Sequence, residues 1–164
     1  MTGPAKLAQH TFAAAALLWA QDQPAVVAEN FQAYLLNSQT GKLSADILEG
    51  DRSTLTNAVI GQYHSSSTFL TLRLRVNHRA AFRNARVRLV AVEGPAPFGA
   101  NAPPRMILDR ISSLNPPGGD GLTHLGFWLP ATGCKPIDLR VTITGIGTPA
   151  AAALTDRIPF VCYE

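Results

Sequence analysis

Residues 21–164 are predicted to fold as one all-β domain, an antiparallel β-sandwich with an immunoglobulin-like two-sheet arrangement, with a closed barrel as second choice. Three observations predict it. Apolar residues recur at every second position in the clearest segments, the period of a half-buried strand. Turn residues punctuate the chain at short intervals, giving about eight short strands. No long stretch after Gln21 carries apolar residues at helical spacing.

The chain has 164 residues, the size of a single domain. Its first segment, MTGPAKLAQHTFAAAALLWAQDQ, has Lys6, then the apolar run TFAAAALLWA, then a polar turn at Gln21. That order is expected of a secretory signal peptide over residues 1–20, cleaved after Ala20. The run is shorter than the ~20 apolar residues that span a bilayer. No later stretch is long enough either, so the expected mature chain has no transmembrane segment and is periplasmic or secreted.

The strands follow in order. NFQAYLL, near Phe31–Leu36, is the first candidate, and NSQTGK, with the Asn and Gly of a hairpin turn, follows it. NAVIG (Asn57–Gly61) is a weaker candidate. TFLTLRLRV is the clearest: Leu70, Leu72, Leu74 and Val76 point one way, and Thr71, Arg73 and Arg75 the other. Val87, Leu89 and Ala91 alternate with Arg86, Arg88 and Val90 in the next. RMILDRI (Arg105–Ile111) and THLGFWL (Thr123–Leu129) flank NPPGGDG, whose prolines and glycines demand a loop. IDLRVTIT places Ile137, Leu139, Val141 and Ile143 on one face, and RIPFVCY (Arg157–Tyr163) closes the series. Two segments are expected to hold short helices instead: LSADILEG (Leu43–Gly50) and TPAAAALTD (Thr148–Asp156).

The chain has two cysteines, Cys134 and Cys162. In an oxidising compartment two thiols of one domain are expected to pair. Such a bridge adds roughly 3–4 kcal/mol in the chain-entropy model. Two separate buried thiols are the alternative. Neither cysteine has the nearby His and Met of a blue-copper loop, and there is no CxxC.

Leu129–Gly133, LPATG, resembles the pentapeptide cleaved by sortases. The resemblance implies an apolar segment after the motif, which Asp138 and Arg140 interrupt, so the stretch is expected to be a turn. Pro130 ends one strand there, and Gly133 lets the chain reverse before Cys134.

Charged residues make up 15% of the chain, below the ~25% of typical domains, and hydrophobic residues 46%, which together exclude disorder. A formal net charge of +3 is too small to imply nucleic acid. Of 14 basic residues only Lys6, Lys42 and Lys135 are lysines. Arg73, Arg75, Arg86 and Arg88 share an outward surface if their strands are adjacent. Like charges so placed require acidic groups or an anionic partner. The functional reading is docking to an unknown protein or an anionic envelope component, and the plainer one is a solvated face paired with nearby acids.

Phe127 and Trp128 are consecutive, so one faces outward, and Trp128 is either an interface aromatic or part of the core. His64, His78 and His124 lack metal-ligand spacing, so no metal and no cofactor is expected. His64 beside Ser65, Ser66 and Ser67 lacks an elbow or third member, and GGDGLT offers only Asp120 to a cation. The expected function is therefore an exported cell-envelope binding or structural module without catalytic activity. The alternatives are a small periplasmic enzyme or metal-binding protein whose residues converge only in the fold, and a subunit of a larger envelope assembly.

Overall fold

A computed structural model describes residues 25–52, 67–77, 83–94, 103–145 and 152–161. The expected signal peptide, the NAVIG strand, His64, His78 and Cys162 lie outside the described residues.

Seven strands form among the described residues: β1 (Val26–Leu35), β2 (Ser67–Val76), β3 (Arg86–Glu93), β4 (Arg105–Ser113), β5 (Leu122–Pro130), β6 (Ile137–Thr144) and β7 (Ala152–Ile158). They make two sheets, β1-β2-β5 and β4-β3-β6-β7, and every neighbouring pair is antiparallel. The sheets stay separate, so the fold is a sandwich and not a barrel. The sets β1-β2-β5 and β3-β6-β7 follow the immunoglobulin-like order. The fourth strand differs from a constant-type domain, since it joins β3 instead of β5.

Alternation decides the core. Leu70, Leu72 and Leu74 from β2, Phe127 and Leu129 from β5, Val87 and Leu89 from β3, and Leu139 and Val141 from β6 all point between the sheets. Each is at most 2% exposed. The inward threonines are bonded: Thr68 and Thr132 hydroxyls meet at 2.8 Å, and Thr123 donates to the Asn115 carbonyl.

Two bulges reset the alternation. In β1 the register with β2 slips between Ala28 and Asn30, so Glu29 is inserted and both Glu29 and Asn30 lie on the outer side. In β4 the slip falls at Ile107, opposite the step from Ala91 to Val92.

Neither expected helix forms among the described residues. In LSADILEG, the Ser44 hydroxyl accepts from Leu35 N and the Asp46 carboxylate from Ala33 N, both at 2.9 Å. Ser44 N and Ile47 N donate back to the Leu35 and Ala33 carbonyls. Side-chain acceptors thus compete with helix formation, and the segment seals the free edge of β1. In the alanine-rich segment β7 begins at Ala152, because pairing with β6 overrides helical propensity. The RIPFVCY strand is likewise shifted: β7 ends at Ile158, and Pro159, which has no N–H, follows it.

The LPATG stretch is a turn. Pro130 is the last residue of β5, and Ala131 adopts φ 50°, as Gly133 does at φ 123°. Arg105 holds this corner by donating from Nη2 to the Ala131 carbonyl at 2.9 Å while its Nε pairs with Glu93. Glu93 occupies an inward position at the rim of the core and is 8% exposed.

Candidate functional site

The outer face of the three-stranded sheet gathers the most distinctive side chains. Register places Tyr34 opposite Phe69, and Phe69 opposite Trp128, so three aromatic residues form one row across β1, β2 and β5. Trp128 is 42% exposed, which settles its orientation: Phe127 takes the core and Trp128 the surface. The Phe69 and Trp128 ring centroids are 6.3 Å apart with planes tilted by 42°. Phe69 lies over Gly126, where an added Cβ would stand 3.0 Å from the ring. A glycine at that register position therefore leaves room for the ring to lie along the sheet.

The Tyr34 hydroxyl titrates above its ordinary value, first because it is partly buried and then because Asp46 and Glu49 are negative. It stays a neutral donor at physiological pH. Next along the face come Gln32, Thr71 and Gly126, with Thr71 Oγ1 donating to Gln32 Oε1 at 3.4 Å. Asn30, Arg73 and exposed His124 form the third row.

Glu29 brings the charges together. Its carboxylate meets Arg75 Nε at 2.5 Å and Arg73 Nε at 2.8 Å. The Arg73 contact is an ion pair without hydrogen-bond alignment. One acid thus serves two guanidinium groups, each more than 40% exposed, which leaves this end of the face with excess positive charge, while Asp46 and Glu49 make the Tyr34 end negative. Sequence reasoning missed Glu29. Its signal was the change of phase between Val26 and Ala28 on one side and Phe31, Ala33 and Leu35 on the other.

The expected four-arginine surface does not form. Arg73 and Arg75 lie on β2, whereas Arg86 and Arg88 lie on β3 in the opposite sheet. The two strands have the same alternation but no shared edge. Arg86 donates to the Arg83 and Ala85 carbonyls, and Arg88 forms a two-pronged pair with Asp109 at 2.7 and 2.6 Å. A shallow cavity of about 600 Å³ lies over Val90, Val92 and Arg140 on that second sheet, with Asp138, Asp156 and Arg157 around it.

The Arg88 hydrogen bonds hold the Asp109 carboxyl below its ordinary value, and Arg88 itself is raised by the same bonds. A depressed carboxyl stabilises the fold above its unfolded pKa, and that contribution is lost as pH falls through the lower folded value. Carboxyl NMR titration is expected to give Asp109 a midpoint below a free aspartate, rising toward it in Arg88→Gln. An unchanged midpoint in that variant would refute the assignment.

Among the described residues no group of His, Cys, Asp and Glu is arranged to hold a metal ion, and no helix is long and apolar enough to cross a membrane. Cys134 lies in the turn leading into β6. No protein-family model matches this chain, and no curated protein matches it.

Proposed function

We propose that this chain is an exported binding module of the cell envelope that engages an anionic partner through the outer face of the three-stranded sheet. The observation that carries the reading is the local charge imbalance at one end of that face, with Arg73 and Arg75 sharing the single carboxylate of Glu29 on the same face as exposed Trp128. An anion approaching Arg75 meets a donor fork already oriented by its hydrogen bond to Glu29.

The proposed Cys134–Cys162 staple suits this role. Ile137, three residues after Cys134, pairs with Ile158, four residues before Cys162 in the sequence. The bridge would hold the end of β7 to the corner that follows β5.

Retention on an anionic matrix tests the function. The parent protein is expected to bind at low ionic strength and elute with salt, and the double variant Arg73→Ser, Arg75→Ser to elute markedly earlier. Equal retention of the two proteins would refute it.

A further inference from the structure

We propose that the ligand of this face is an acidic oligosaccharide reaching along β2, one sugar ring on the Phe69–Trp128 pair and its carboxylates at Arg73 and Arg75. This inference rests on the reading of the face as an anion-binding surface and names the class of ligand. Two independent features on one face carry it, the aromatic row and the unbalanced guanidinium pair.

The geometry matches an extended chain. Neighbouring strands are about 4.8 Å apart, so three aromatic positions span about 10 Å across the sheet. Four residues along β2 separate Phe69 from Arg73, about 13 Å at the rise of a strand. A ligand contacting both therefore needs apolar surface at one end and negative charge about 13 Å further along. Polymers of acidic sugars have both, since each ring offers a C–H face to the negative face of an aromatic ring and carries a carboxylate at its rim.

The intervening row favours a sugar over a lipid surface or an acidic protein. Gln32 and Thr71 are polar, so the centre of the face suits hydroxyl groups. A bilayer pressed against Trp128 would have to desolvate that row and the guanidinium groups together. An acidic peptide would satisfy the arginines and leave the aromatic row unused.

Titration calorimetry of the full chain with an oligogalacturonate tests this, with its methyl-esterified form, inorganic polyphosphate and phosphatidylglycerol vesicles alongside. The expected result is binding of the oligogalacturonate, weakened about tenfold or more by Trp128→Ala, largely restored by Trp128→Phe, and weakened by esterification. Arg73→Ser with Arg75→Ser also weakens it.

Absence of binding, or equal binding by Trp128→Ala, overturns the sugar assignment. So does vesicle binding that depends on Trp128 when the sugar does not bind. If polyphosphate binds through Arg73 and Arg75 while the oligogalacturonate does not, the anionic face stands and the sugar fails. If the arginine variants change no ligand, both fail.

Discussion

Phe127→Ala is expected to lower the unfolding free energy by about 3–5 kcal/mol, whereas Trp128→Ala, one residue away, lowers it by about 1 kcal/mol. The contrast follows from the pleat. Phe127 is 1% exposed and pairs in register with Leu70 at the centre of β2, so truncation leaves a cavity between two sheets. Trp128 loses only its contact with Phe69 and surface that water already reaches. Urea unfolding followed by circular dichroism measures both, since this signal does not depend on the tryptophan. Equal losses for the two variants would mean that the alternation in β5 has been assigned to the wrong faces. Against a total stability of ~5–15 kcal/mol, the Phe127 loss is enough to leave a substantial unfolded fraction.

Gly145→Ala is the second large effect, about 3 kcal/mol or more. Gly145 follows β6 with φ +83°, where an L side chain costs about 1–2 kcal/mol. An added Cβ would also stand 2.1 Å from the Asn84 carbonyl oxygen, a backbone atom just ahead of β3. Relieving that overlap moves the entry to β3 and adds about 1–3 kcal/mol. Gly50→Ala isolates the two causes, because Gly50 has φ +89° with nothing within 4 Å of the built Cβ. Gly50→Ala is expected to lose only the conformational part. If both variants have the same unfolding midpoint, Asn84 does not crowd Gly145.

How much of this was legible in the sequence depended on whether a segment was governed by its own neighbours. β2, β3 and β6 were read directly, because their alternation is unbroken and opposite faces meet opposite environments. The division of strands between sheets was not legible. Arg73 and Arg88 sit in equivalent patterns, and only pairings with residues far along the chain send β2 to β5 and β3 to β6. The Leu43–Gly50 segment was misread because Leu, Ala and Ile favour a helix, while Ser44 and Asp46 found better partners on the edge of β1.

The candidate site was partly legible. Arg73, Arg75 and the pair Phe127–Trp128 were singled out by residue type, and the tryptophan's direction was readable in principle. Leu125, Phe127 and Leu129 share one phase, and His124, Gly126 and Trp128 the other. The aromatic row was not readable, because Tyr34, Phe69 and Trp128 are joined only by register across three strands. Glu29 required the bulge, which inserts one residue and so turns a core phase into a surface one.

The two-sheet order also determines how the chain reaches its native state. Ser67 pairs with Pro130 and Arg86 with Thr144, so the central ladder of each sheet joins residues remote in sequence. Closing such loops loses entropy before any contact compensates for it. Folding is therefore slow for a domain of this size, in milliseconds to seconds, with the local β6–β7 hairpin available early as a template. Until β3 joins β6, one side of that template is open, and this interval is when the chain is most prone to pair with another copy of itself.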